Sequence, residues 1–236
     1  GLTLLPGAID VHVHFRQPGH EQKETWATGS RSAAAGGVTT VVDQPNTSPP
    51  TIDGERFDEK ADFAAHSLVD YGINGGVNDE WDPDSLFERP VFALGEVFLA
   101  DSTGDMGIDA ARFEEALTAA AEAEVPVTVH AENADLFDES ALEGDLGGTG
   151  RDADADHWSQ YRTAEAEIDA VESACETASG AGATLHIAHT STPEAVDVAD
   201  EAGASCEVSP HHLLLSREDL SELGTFGRMN PPLRSE

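Results

Sequence analysis

The sequence predicts an α/β chain wound as a (β/α) barrel, and three observations predict it. Short Val/Ile-rich runs alternate with amphipathic helical stretches. The runs are apolar throughout rather than cleanly alternating, as strands covered on both faces are. Strand-then-helix units recur every ~25–40 residues, the signature of a parallel sheet with helical crossovers.

The strand-like runs are Gly7–His14, Val38–Gln44, Val69–Gly75, Val91–Ala100, Val125–His130, Ala183–His189 and Ala204–Ser209. Helical patterns fall at Lys23–Ala35, Glu55–Ser67, Asp109–Glu124, Thr163–Ser179 and Pro193–Glu201. Gly36, Gly37, Gly180, Gly182 and Gly203 follow helices, where left-handed caps favour glycine. Thr192 suits the N-cap of the last helix, with Pro193 as its first residue. Seven strands are legible, whereas a closed barrel of this kind needs eight. The Asp- and Gly-rich stretch Asn133–His157 is long for a connection and reads as a solvated acidic loop at the rim. No repeat or linker divides the chain, so residues 1–236 are expected to form one incomplete barrel domain.

Charge is the most unusual property. Asp and Glu number 46 against 12 Lys and Arg, a net charge of −34, and Lys23 and Lys60 are the only lysines. Such self-repulsion opposes compaction. It is tolerable where salt is molar, since the Debye length there is only about 3 Å. A halophilic, salt-loaded cytoplasm is therefore expected. The same charge argues against nucleic acid, which demands basic contacts. No apolar run of about 18 residues suggests a membrane span, and no basic-then-apolar leader opens the chain. Cys175 and Cys206 lack metal-site spacing and read as core thiols of a reducing compartment.

In a parallel barrel, reactive side chains collect at the C-terminal strand ends. The first strand ends Asp10-Val11-His12-Val13-His14-Phe15-Arg16. Alternation puts His12 and His14 on one side, where two imidazoles suit one divalent ion. Arg16 keeps that parity and offers a planar fork for a carboxylate. His130 and His189 end the fifth and sixth strands. Four histidines on three strand ends are hard to attribute to packing, and neutral imidazole suits zinc and its neighbours. Glu96 is a carboxylate inside an apolar fourth strand; it needs a metal, or else an arginine, as partner. Asp101, just past that strand, is the competing carboxylate. His20, His66 and His157 read as surface residues, and His186, of opposite parity to His189, as facing outside the barrel. His211 and His212 follow the seventh strand at the active end, in reach of an indirect role.

Taken with these residues, three segments carry a family resemblance. Asp10–Gly19, DVHVHFRQPG, resembles the first-strand signature of the dihydroorotases within the amidohydrolase superfamily. Gln44-Pro45-Asn46-Thr47 resembles their MPNT motif, and Asn230-Pro231-Pro232-Leu233-Arg234 their NPPLR motif. The resemblance implies an amidohydrolase-type (β/α)8 barrel and two divalent ions, read as zinc. His12 and His14 would hold the first ion and His130 and His189 the second, with Glu96 or Asp101 in place of the carboxylated lysine of many relatives. Glu96 is favoured, and a single-metal site is the remaining alternative. His14, Arg16, Asn46 and Asn230 would bind substrate.

The activity implied is reversible hydrolysis of the cyclic amide of (S)-dihydroorotate to N-carbamoyl-L-aspartate, a step of pyrimidine synthesis, by metal-activated water. A homodimer is compatible with it. The family's catalytic aspartate lies on an eighth strand, expected beyond Glu236, and its β-sandwich segments flank the barrel. The chain is therefore expected to be truncated at both ends and inactive by itself. Allantoinase and dihydropyrimidinase or hydantoinase are the rivals sharing the histidines. A catalytically inactive dihydroorotase-like assembly partner of a transcarbamoylase is the rival from another class.

Overall fold

The computed structural model describes residues 3–100, 106–142 and 155–235. Seven strands follow the chain: β1 Ala8–Val13, β2 Val38–Asp43, β3 Asp70–Ile73, β4 Leu94–Phe98, β5 Val127–His130, β6 Leu185–Ile187 and β7 Ser205–Cys206. Every neighbouring pair within β1–β3 and within β4–β7 is parallel and sequential. A parallel bridge between Gly75 and Leu94 joins the two sets. All C-terminal ends thus point to one face. Among the described residues, β1 and β7 are the two sheet edges. Each strand is shorter than its apolar run, and β5 still carries His130 at its last position.

The helices lie at α1 Trp26–Gly36, α2 Gly54–Ala64, α3 Pro83–Phe87, α4 Ala110–Glu122, α5 Ala155–Tyr161, α6 Ala164–Ala181, α7 Pro193–Ala202, α8 Pro210–Leu214 and α9 Leu220–Leu223. The five expected helices are all present. Thr192 caps α7 as expected, accepting from the Ala195 N–H, and Gly203 closes it in the left-handed region at φ 75°. The short helices α3, α5, α8 and α9 escaped the pattern, since one turn or two carries too little periodicity to read.

The described flanks of Asn133–His157 differ from the solvated loop expected. Residues 143–154 lie outside the described residues, as does Asp101. The flanks, however, form 3-10 turns over Ala134–Leu136 and Glu139–Leu142 and the start of α5, with Ala141, Ala155 and Ser159 buried. Cys175 is buried, Cys206 is partly so, and both are free thiols, as expected.

The core lies between the sheet and its helices, with Trp26, Leu94, Val97, Leu117, Val127, Val129, Val171 and Ile187 fully buried or nearly so. His186 corrects an expectation. It lines an internal cavity of about 240 Å³ with Val11, Thr128, Ser205 and Glu207, instead of facing outward. β6 ends at Ile187 and His189 takes φ 36°, so strand parity does not carry from one histidine to the other. His66 is exposed, as read, while His20 and His157 are only partly so.

At the first strand end, packing places the site directly. Phe15 wedges against Trp26 edge-on, with ring centroids 5.1 Å apart, and Trp26 in turn meets Tyr71 at 5.4 Å. Across α1, a Cβ on Gly29 would stand 2.5 Å from the Phe15 ring. Phe15 therefore has no room to withdraw from Arg16's side. Gly29→Val regains only a few tenths of a kcal/mol of helix propensity. It is expected to destabilise by about 1–3 kcal/mol through overpacking. Denaturant unfolding in molar salt measures this; an unchanged midpoint would mean that the Phe15 pocket yields.

Candidate metal centre

Glu96 reaches the barrel interior because β4 is irregular. Its register against β5 shifts between Leu94 and Val97, and bulges of this kind re-aim side chains. Gly95 makes the approach possible: its φ is 141°, and a Cβ would sit 2.1 Å from the Thr128 carbonyl oxygen. The Glu96 side chain is 2 % exposed and no arginine pairs with it among the described residues. Its neighbours are the four histidines.

The two carboxylate oxygens divide these histidines into pairs. Oε2 lies 3.3 Å from His12 Nε2 and 3.8 Å from His14 Nε2. Oε1 lies 3.0 Å from His130 Nδ1 and 2.6 Å from His189 Nε2. β1 presents His12 and His14 on one side, as strand parity demands, with ring centroids 5.2 Å apart. His130 Nδ1 and His189 Nε2 are 3.0 Å from each other. His12, Glu96 and His189 alone bring three ligand atoms within 4.8 Å of one another. Four imidazole nitrogens around one carboxylate, with no thiolate, form a donor set suited to borderline divalent ions. The residues fit a metal, and the arrangement explains a carboxylate buried in an otherwise apolar strand.

Outer partners act on the far ring nitrogens. His12 Nδ1 is 2.5 Å from Glu207 Oε1. His14 Nδ1 is 2.8 Å from Asn46 Oδ1. His130 Nε2 is 2.6 Å from Glu132 Oε2. In a neutral ring, an acceptor there takes the N–H and leaves the lone pair on the nitrogen facing Glu96. Glu132 is itself gripped by Arg162, whose Nε donates to both carboxylate oxygens at 3.0 Å. Arg162 is buried, lies over the Phe137 ring at 4.8 Å, and directly follows α5. The long excursion after β5 thus returns to clamp the centre.

The protonation pattern follows from these contacts. Burial pushes the His12 ring down, but Glu207 and Glu96 more than reverse it, to about 10. Burial likewise opposes His130, and Glu132 with Glu96 raises it to about 9. Burial prevails at His14, which falls to about 3. Against its own burial, Glu96 is held well below the usual carboxylate range by His189, His12 and His130. Burial also lifts Glu132, yet His130 and Arg162 hold it at about 2.

Above the cluster opens a cleft of about 350 Å³, lined by His12, His14, His189, His211, Met229 and Asn230. Asn230 Oδ1 accepts from Trp158 Nε1 at 2.8 Å. The loop that carries it is anchored twice, by His212 Nε2 at 3.1 Å from the Pro231 carbonyl and by the Arg234–Glu167 ion pair at 3.1 Å. Arg16 stands at φ 63° and is partly buried. Its guanidinium feels Asp43 and Glu96 across space, but makes no hydrogen bond or ion pair with any described residue.

His12, His14, Glu96, His130 and His189 are therefore brought together, with Asn46 and Asn230 at their border. Glu132, Arg162 and Glu207 went unread. Glu132 and Glu207 carry a weak signal, a charge directly after an apolar strand. Arg162 carries none, since only the fold sets it beneath Glu132.

The family described as Dihydro-orotase-like matches residues 1–195. A dihydroorotase from the archaeon Halobacterium salinarum is 68 % identical over 99 % of this chain and 54 % of its own length. A dihydroorotase from Methanosarcina mazei is 45 % identical, covering 99 % and 53 %. An allantoinase from Rubrobacter xylanophilus is 40 % identical over the same shares, 99 % and 53 %. The chain spans about half the length of the curated relatives it matches. Among solved structures, an L-hydantoinase (dihydropyrimidinase) from Arthrobacter aurescens superposes with a TM-score of 0.87 at 24 % identity, over 98 % of this chain and 52 % of that one. A dihydropyrimidinase from Brevibacillus agri gives 0.82 at 27 %, over 98 % and 53 %. The fold is the amidohydrolase barrel of those enzymes, in part. By its motifs, its fold and the match over residues 1–195, the chain belongs to the dihydroorotase-like family.

Proposed function

We propose that this chain carries the metal centre and much of the substrate site of a dihydroorotase, which reversibly hydrolyses (S)-dihydroorotate to N-carbamoyl-L-aspartate in pyrimidine synthesis. The observation that carries the reading is Arg16, an unpaired guanidinium beside a cluster of four histidines and one glutamate. An unpaired, partly buried cation calls for an anionic ligand, and a planar fork matches a carboxylate. Allantoin and dihydrouracil carry no such carboxylate. The identity to an allantoinase keeps that ring as the second reading. An inactive assembly partner has no need of a metal site, and the five donors kept together here count against that reading.

His12 and His14 would hold one divalent ion and His130 and His189 a second, with Glu96 between them; zinc fits the donors. Bound there, the ions would supply a lowered water pKa and a polarised amide carbonyl. Arg16 and the amide of Asn46 would hold the substrate carboxylate, and Asn230 the ring. In hydrolysis, water oxygen joins the ring carbonyl carbon, the C–N bond breaks, and the departing nitrogen takes a proton. The acid excess supports a cytoplasm rich in salt and a fold that tightens in molar KCl.

Four outcomes are expected for the full gene product in molar KCl. It should turn over dihydroorotate and neither allantoin nor dihydrouracil. Arg16→Ala should then raise KM by the equivalent of about 2–5 kcal/mol with metal content intact. Turnover of another ring would overturn the substrate, and loss of metal in Arg16→Ala would overturn the role of Arg16. Glu132→Gln should weaken metal binding by about 10–100-fold in a chelator competition. Unchanged affinity would mean that His130 is oriented without it. In the metal-free chain, His12 and His130 keep their protons until pH rises through about 10 and about 9. A cation entering at neutral pH must displace them, so binding should release protons and tighten as pH rises. A pH-independent affinity would contradict this protonation pattern.

A further inference from the structure

Lys60 is fully buried although it comes from the surface helix α2, and it is one of only two lysines in this acidic chain. Its ammonium lies 2.5 Å from Asp43 Oδ2, itself fully buried, and also donates to the Gln44 carbonyl. The other oxygen of Asp43 accepts the Phe15 N–H at 2.6 Å. Gln44 N–H donates to the Val13 carbonyl at 2.9 Å, and its side chain reaches the Val11 carbonyl at 3.2 Å. One cation therefore ties together the ends of β1 and β2. The next residue after Phe15 is Arg16, and two past Gln44 is Asn46.

Stability alone is a poor reason for this pair. Burial works against both charges, lowering the Lys60 ammonium and lifting the Asp43 carboxyl. Well-packed apolar residues often replace such pairs without loss. The charges matter for what lies above. Asp43 attracts Arg16 across space, and so does Glu96. Without Lys60, the Asp43 carboxylate would be an uncompensated buried anion acting on the Arg16 guanidinium, which pairs with no described residue.

We infer that Lys60 is a positioning residue for substrate anion binding: by neutralising Asp43 it leaves the Arg16 guanidinium free for the substrate carboxylate. This rests on the reading of Arg16 as the carboxylate fork. Asp43, Lys60 and Arg16 then sum to one positive charge beside His14, which favours an acidic substrate over a neutral ring.

The test compares Lys60→Met, the pair Asp43→Asn with Lys60→Met, and Arg16→Met in the full gene product. Lys60→Met is expected to raise KM for dihydroorotate about tenfold or more, with kcat within about twofold and metal content unchanged. The paired variant removes the competing anion as well, and should restore KM to within about threefold of the parent. A merely structural lysine would not be rescued by losing its partner. Parental KM in Lys60→Met, or a KM still raised in the paired variant, overturns the inference. If Lys60→Met does not fold, the paired variant decides: near-parental KM supports the charge balance, and a KM as high as that of Arg16→Met overturns it. An Arg16→Met variant with parental KM fails the reading of Arg16 itself, and takes this inference with it.

Discussion

A single buried carboxylate organises the active face. Glu96 lies inside an apolar strand, and desolvation alone would drive it to the neutral acid. Imidazole nitrogens within 2.6 to 3.8 Å keep it ionised instead. The cluster and the carboxylate depend on each other. Remove the acid, and the histidines that are raised toward protonation lose a counter-charge. Remove the histidines, and β4 buries an unpaired anion. A metal resolves both sides, since it takes the place of the protons that the imidazoles otherwise hold.

Around this centre, each strand end does two jobs. β1 contributes His12 and His14 and then turns through Phe15 to Arg16. β2 contributes Asn46, whose carbonyl oxygen meets His14 at 2.8 Å and so links the metal histidines to the substrate border. β5 contributes His130 together with its own acceptor, Glu132. β7 contributes Glu207, which meets His12 at 2.5 Å and receives the His189 N–H at 3.3 Å. Acceptors held by packing choose which ring nitrogen faces inward, and a flexible side chain could not do so reproducibly.

The distribution of cations fits the same logic. With acids outnumbering basic residues so heavily, most surface charge needs only salt. A few cations stand where screening reaches poorly. Lys60 neutralises Asp43, Arg162 grips Glu132, and Arg234 ties the Asn230 loop to Glu167 at 3.1 Å. These buried pairs are little affected by ionic strength, in contrast to exposed ones. The centre thus stays assembled by local charge pairing while the exterior answers to the solvent.

Much of this was legible in the chain itself. Apolar runs and their spacing sufficed for seven parallel strands and the five longer helices, because periodicity is a local property. His12, His14, Glu96, His130, His189, Arg16, Asn46 and Asn230 stood out as polar residues at strand ends or in family motifs. Parity failed at His186, where a turn at His189 broke the alternation. The described flanks of Asn133–His157 fold into turns and α5, which is too short to carry a period and whose value lies in placing Arg162. Asp43 and Lys60 belong to the tertiary structure alone, while Glu132 and Glu207 carry only the weak signal of a charge after an apolar strand. Their roles come from what faces them across 17 to 195 residues of chain, such as Lys60 beneath Asp43 and Glu207 behind His12. A strand end announces its own side chain, but only folding decides which charge from a distant element will stand within 3 Å of it.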